Sequence, residues 1–202
     1  MVMQINERSR ILIIAAHPDD EVLAMGGTIA KAKALGAHVT VHFLGEGVSA
    51  RFEHDDIGNQ KFLEQSAVRM NGARAALDSL KVDEAVFGSR LCCRFDAIDS
   101  LDIVKDIERI ILDYGPSHIF THNPIEVNID HRVTYNCVET ATRPKPGLSL
   151  QAIYSFEIVC SGNWTFVNQF KPTTYVDIKD YWQDKLNAWH CYKGENRPFP
   201  FP

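Results

Sequence analysis

The chain has 202 residues, 45% hydrophobic and 23% charged, which excludes wholesale disorder and suits one domain with a full hydrophobic core. Lys and Arg number 21 against 26 Asp and Glu, a formal charge of −5, so general nucleic-acid binding has no electrostatic footprint. The five cysteines are odd in number and hold no CxxC pair, which argues against a disulfide framework or a cysteine-based zinc knuckle and for a reducing compartment. No run approaches the roughly eighteen apolar residues of a membrane span. The polar start MVMQINERSR precedes only a short apolar run, so a secretory leader is not expected. The expectation is a soluble cytoplasmic protein.

Strand and helix patterns alternate along the chain. Ile11–Ala16 is a continuous apolar, β-branched run, as in a strand buried on both faces of a parallel sheet. Leu23–Leu35 reads as a helix stopped by Gly36, and His38–Leu44 returns as a strand, giving a right-handed β-α-β unit. Gly45–Lys61 is a polar loop after a strand end, where open α/β sheets carry ligands. Phe62–Leu80 reads as a helix, Ala85–Phe87 as a short strand and Gly88–Asp99 as a second irregular loop. Ser100–Tyr114 is helical by its 3.6-residue period of Leu101, Val104, Ile107, Ile110 and Ile111. His118–Thr121 is a strand, Asp130–Ala141 a helix, Ala152–Ile158 and Tyr175–Ile178 strands, and Asp180–Tyr192 a closing helix. The Pro-rich stretch Arg197–Pro202 reads as a loop. The fold class is α/β with a mainly parallel sheet in a single domain.

The densest chemical signal is His17-Pro18-Asp19-Asp20-Glu21, where the first strand ends and the first helix starts. Pro18 sits where a helix needs no backbone N–H, and the acids sit at the positive end of the helix dipole. Acidic residues there are also ordinary helix-start chemistry. Three residues apart across this turn, His17 and Asp20 can converge on one point, and imidazole and carboxylate are ordinary zinc ligands. A second signal is Thr121-His122-Asn123-Pro124, followed by Asn128-Ile129-Asp130-His131-Arg132. Asp130 stands where a helix cap would be, and His131 in the first turn after the fourth strand. In a parallel sheet all strand carboxyl ends share one edge, so His17, Asp20 and His131 can meet. Three protein ligands with an open fourth position is the catalytic zinc arrangement.

These motifs resemble the PIG-L / LmbE-like zinc N-deacetylases, which remove acetyl from N-acetylglucosaminyl compounds. The resemblance runs over SRILIIAAHPDDE, the GGTIAK helix, the loop with Gly45, Glu46, Ser49 and Arg51, the RFD of Arg94-Phe95-Asp96, and THNP…NIDHR. It implies a Rossmann-like three-layer domain over 1–202 and a zinc-dependent hydrolase releasing acetate and a free amino sugar. Its metal ligands would be His17, Asp20 and His131, its general base Asp19, and its substrate contacts Arg51 and Asp96. His122 or Asn128 would stabilise the oxyanion, and Asp130 would orient a ligand. The mycothiol-pathway branch of the family has a histidine where this chain has Asn128, and the acid usual in the helix of Arg69 aligns with Gly72. Many members continue into a further tail beyond the point matching Pro202. The implied partner is a small amino-sugar compound, with no nucleic acid or membrane span and with a homo-oligomer left open. Iron, cobalt or nickel suits the same ligands.

Other readings stay open on these residues. A zinc amidase acting on a thiol conjugate or another non-sugar amide would share the metal site. A non-catalytic metal-binding domain would not need Asp19. A nucleotide-binding protein would want G-x-G-x-x-G after the first strand, where HPDDE repels a pyrophosphate. Trp164, Trp182 and Trp189 read as core or interface, and Cys92-Cys93, without a base partner, as inert.

Overall fold

The apolar run at the start becomes β1, Arg10–Ala15, with every residue after Arg10 buried. It is the middle strand of a five-stranded sheet in a computed structural model that describes residues 3–162, 164–166 and 168–195. Then come α1 (Asp20–Ala34), β2 (His38–Gly45), α2 (Gln60–Ser79), β3 (Glu84–Arg90) and α3 (Ser100–Tyr114). The chain continues through β4 (His118–His122), α4 (Ile129–Ala141), β5 (Ala152–Phe156), the single turn α5 (Val159–Gly162) and α6 (Trp182–Trp189). All pairings are parallel, in the order β3-β2-β1-β4-β5.

Alternate side chains of the central strands feed two cores. Ile11, Ile13, Val39, Val41 and Phe43 pack with Val22 and Ile29 of α1, Ala76 and Leu77 of α2, and Ala188 of α6. Leu12, Ile14 and Leu44 pack on the opposite face with Ile103, Ile107 and Ile111 of α3 and Val138 of α4. A helix layer therefore covers each face, and the strands are buried on both, as their unbroken apolar sequence requires.

Among the described residues three helices start on a side-chain cap: Asn59 accepts from the Phe62 amide, Asp99 from Leu101 and Asn128 from Asp130. Asp130 is thus not the cap but a first-turn residue of α4. Gly115, at φ 62°, ends α3 in the left-handed conformation that glycine adopts without cost.

Several boundaries differ from expectation. α1 begins three residues earlier, β3 runs on to Arg90, and β5 stops at Phe156, where the chain turns into α5. The strand expected over Tyr175–Ile178 is absent. Ile178 instead lies on α1, where a Cβ at Gly27 would come within 2.6 Å of its Cδ1, and Lys31 Nζ donates to the Asp177 carbonyl. The apolar side chain of Ile178 is covered by a helix and not by a sheet edge. The expected closing helix is shorter, Trp182–Trp189 after a 3-10 turn at Lys179–Tyr181. The Pro-rich stretch Arg197–Pro202 lies outside the described residues. Among the described residues no helix is long and apolar enough to cross a membrane.

Candidate active site

The strand order reverses between β1 and β4, whose connections leave toward opposite ends of the sheet. Parallel sheets open a crevice outside the carboxyl ends of such strands. Here β1 delivers His17 and β4 leads into α4, which carries His131. His17, Asp20 and His131 are all buried, and each offers a donor atom within 4.8 Å of the other two. His131 Nε2 lies 3.3 Å from Asp20 Oδ1, and His17 Nδ1 lies 3.8 Å from Asp20 Oδ2.

Asp130 fixes which nitrogen His17 presents. Its carboxylate accepts the amides of Cys93 and, at 3.0 Å, Phe95. It also lies 2.8 Å from His17 Nε2. Surrounded by donors, the carboxylate takes the Nε2 proton as a third, which leaves the Nδ1 lone pair facing Asp20 and His131. Gly47 lets this corner close: at φ 78°, its Cβ would meet His17 Cβ at 3.2 Å and Pro18 Cδ at 3.3 Å.

Burial pushes the His131 pKa down, but Asp20 and Glu126 beside it push it further up, to about 10. Asp20 answers in kind: burial raises its carboxyl, and His131 and His122 outweigh that, leaving it well below the usual carboxylate range. Glu126 Oε2 sits 3.4 Å from His131 Nδ1. Two carboxylates around one imidazole make a seat for positive charge. The donors, imidazole nitrogen twice and carboxylate once, suit a divalent transition ion, which would take the place of the proton.

His122 stands behind this group with no exposure. Burial and the charge of His131 hold its pKa down to about 4, so the ring is neutral. Its Nε2 accepts the Ala16 amide at 2.9 Å, and its ring stacks on His131 with centroids 3.9 Å apart. The residue braces the end of β1 against β4 rather than lining the pocket.

Asp19 has a different setting from its neighbour. It holds φ at 120° and makes no side-chain cap to α1. Such a conformation costs a non-glycine residue about 1–3 kcal/mol and persists only where the surroundings impose it. Arg69 of α2 imposes it, donating to Asp19 Oδ2 at 2.6 Å and to the Pro18 carbonyl at 2.5 Å. The other guanidinium nitrogen lies 2.6 Å from Glu195 Oε1, and Glu195 also receives Arg51 at 2.7 Å. Burial raises the Asp19 carboxyl to about 6; Arg69 opposes that, while Asp20 and Glu195 reinforce it. Glu21, raised by burial to about 8, accepts the Asp19 amide and the Tyr192 hydroxyl, tying α1 to the segment after α6.

These groups surround a cavity of about 530 Å³. His17, Asp19, Asp20 and His131 meet Asn128, Arg51, Arg69 and Cys92 on its polar side. Val22, Leu23, Ile158, Leu186 and Trp189 form an apolar side. Asn128 turns its Oδ1 onto the Asp130 amide. Asp96 lies exposed in the 3-10 turn Phe95–Ala97, outside the cavity lining. The sequence pointed to no role for Glu195 or Cys92, which line the cavity, nor for Glu126 and Tyr192, which hold His131 and Glu21 from behind. Glu126 had a signal, standing two residues after Pro124 of THNP; Glu195 had none, standing far from every motif.

Comparison with known proteins shows the family and the fold. A family model described as PIG-L: GlcNAc-PI de-N-acetylase matches residues 12–142. The N,N'-diacetylchitobiose deacetylase from Pyrococcus horikoshii has a similar structure, with a TM-score of 0.75 at 21% identity over 95% of this chain and 72% of that one. GalB, the 4-carboxy-2-hydroxymuconate hydratase from Pseudomonas putida KT2440, gives 0.73 at 22% over 93% and 80%. The A40926 pseudoaglycone deacetylase Dbv21 gives 0.70 at 24% over 92% and 81%. At these identities the likeness is one of fold, and that fold serves a hydratase as well as deacetylases.

Proposed function

The chain belongs to the PIG-L family, and from that membership we propose that it is a metal-dependent N-deacetylase acting on an N-acetylglucosaminyl-type compound. The observation that carries this reading is the pairing of a buried His17–Asp20–His131 donor set with a separate carboxylate, Asp19, on one pocket floor.

His17 through Nδ1, Asp20, and His131 through Nε2 would hold the ion, with zinc the first candidate and iron, cobalt or nickel suited to the same donors. A divalent ion bound there supplies Lewis acidity, lowering the pKa of water and polarising a carbonyl oxygen. Asp19 is the general base: it lines the cavity, is not needed as a helix cap, and is held by Arg69 from one side. It takes the proton of the attacking water and returns it to the departing amine, so that acetate and a free amine leave. Asn128 is the oxyanion donor, since its Oδ1 is spent on the α4 cap and its Nδ2 remains for the pocket. Asp130 orients His17, and His122 supports His131 by stacking. Arg51 lines the cavity and would meet substrate once it exchanges Glu195 for a substrate oxygen. Asp96 would reach only a substrate group that extends beyond the cavity.

The test is a screen of N-acetylglucosaminyl compounds and simple N-acetyl amides with metal-loaded protein, reading released acetate. Acetate release that depends on the ion and on Asp19 is expected. Hydration of an unsaturated acid without any acetate release would place the chain with the hydratase instead.

A further inference from the structure

His17 belongs to two clusters. Its Nδ1 faces Asp20 and His131, while its Nε2 faces Asp130 at 2.8 Å. On this second side the Cys92 thiol joins them: His17, Cys92 and Asp130 are all buried, with donor atoms within 4.8 Å of one another. The loop around Cys92 is shaped for this meeting. Cys93 adopts φ 58°, unusual for a residue with a side chain, so that the amides of Cys93 and Phe95 both reach Asp130. Cys92 itself is anchored by its amide, which donates to Ser49 Oγ at 2.7 Å, and it lines the reaction cavity. Beside it, Cys93 is exposed, with its sulfur 3.9 Å from Cys92 Sγ.

We propose that Cys92, His17 Nε2 and Asp130 form a second cation site, selective for a thiophilic divalent ion, whose occupation shuts the reaction site. Thiolate, imidazole and carboxylate at bond lengths of about 2.0–2.3 Å put tetrahedral ligand atoms roughly 3.3–3.8 Å apart, so the His17–Asp130 pair, at 2.8 Å, opens by about 0.5–1 Å while Cys92, within 4.8 Å of both, closes by no more than about 1–1.5 Å. Exposed Cys93, its sulfur 3.9 Å from Cys92 Sγ, gives the ion a first contact, and water fills the fourth position. Binding displaces two protons to solvent, one from the Cys92 thiol and one from His17 Nε2, and forms an S–metal and an N–metal bond in their place. Hard ions such as Mg²⁺ and Ca²⁺ prefer oxygen and leave such a thiol protonated, which sets the selectivity.

The inhibition follows from the shared imidazole. The Nε2 proton that Asp130 receives is what keeps the Nδ1 lone pair electron-rich and aimed at Asp20 and His131. An ion on Nε2 takes that proton's place, sets a second divalent charge across the ring from the first, and pulls the ring toward Cys92, so that Nδ1 is drawn off Asp20 and His131. Cd²⁺, or zinc beyond the first equivalent, therefore acts against the site that one equivalent of zinc would serve.

The test uses the full chain loaded with one equivalent of zinc and titrated with Cd²⁺. One further equivalent should bind with an ultraviolet thiolate-to-cadmium charge-transfer band while zinc stays bound, and acetate release should fall by about tenfold or more. Dimercaptopropanol should reverse both effects. Cys92→Ser should abolish the band and the inhibition. If that variant fails to fold, cadmium NMR of the unaltered chain decides the same point, since a thiolate-bearing site resonates far downfield of a nitrogen–oxygen site. A band that survives undiminished in Cys92→Ser, or cadmium that replaces zinc with no band, overturns the proposal. Because the band and the stoichiometry need no turnover, failure of the deacetylase reading leaves this test intact.

Discussion

The His17–Asp20–His131 group takes its donors from the turn after β1, the start of α1 and the first turn of α4, whereas the Asp19–Arg69–Glu195–Arg51 chain beside it is assembled from the turn before α1, α2, a loop and the segment after α6. The first group is set by backbone: helix starts and the β1–β4 crevice fix where each side chain emerges, and buried neighbours fill the remaining freedom. The second is set by charge, with Arg69 joining Asp19 and Glu195 across 50 and 126 residues of sequence. A group placed by backbone should lose one member without unfolding. A buried ion-pair chain should not, because removing one charge strands its partners. Adjacent Asp19 and Asp20 fall on either side of this divide, and their carboxyls shift in opposite directions.

The largest effect tests the backbone-set group. His131→Ala, or chelation of the bound ion, should abolish acetate release and lower metal content to background, while circular dichroism stays near that of the unaltered chain. Zinc should restore activity after chelation but not after the substitution. A purified His131→Ala that keeps one tightly bound ion would separate the group from metal binding altogether.

Next comes Asp19→Asn, which keeps size and leaves metal content unchanged. A positioned base contributes typically about 10²–10⁴-fold, so kcat should drop by that range. If instead the ion is lost and Asp20→Asn retains it, the two aspartates have exchanged roles.

Arg69→Met attacks the charge-set chain and should show chiefly in stability. Two carboxylates, Asp19 and Glu195, lose a buried partner, and the unfolding free energy should fall by about 3–5 kcal/mol in denaturant titration. Glu195→Gln keeps the hydrogen-bonding shape and removes one charge, so its cost should be smaller, about 1–3 kcal/mol. Equal losses for both would mean that Glu195, not Asp19, is what Arg69 chiefly serves.

The smallest effect lies away from the pocket. His42 of β2 has its pKa lowered from 6.5 to about 4, by burial first and then by the charge of Arg90. The folded state therefore binds this proton less readily than the unfolded chain. Stability from the neutral ring is complete above pH 6.5, falls as pH drops below it, and is fully lost near pH 4. His42→Gln should flatten that part of the acid limb in thermal melts at a series of pH values, with no change above pH 7.

Much of the fold was legible because a buried parallel strand must be apolar throughout. Ile11–Ala16, His38–Leu44 and the helical period of Ser100–Tyr114 announced themselves without neighbours. Tyr175–Ile178 misled because its alternating pattern records which side is covered, not what covers it, and the cover is α1 rather than another strand. Asp130 had two readings, a helix cap by position and an orienting group for a ligand; Asn128 caps α4, and the Asp130 carboxylate lies 2.8 Å from His17. Cys92-Cys93 read as inert because no local partner was visible, yet folding brings Cys92 beside His17 and Asp130.

The sequence by itself determined the parallel α/β class and singled out His17, Asp19, Asp20 and His131 as candidates for metal-binding and proton-moving chemistry, because strand burial and residue type are local properties of the chain. It also placed His17, Asp20 and His131 on one edge, since every strand of a parallel sheet ends there. Only the tertiary structure decided what holds each of them: which nitrogen His17 presents, why Asp19 stays in a strained conformation, and that Glu195 joins two arginines over the pocket. Those outcomes depend on partners between 50 and 144 residues away, brought within hydrogen-bond reach by packing that no local pattern encodes.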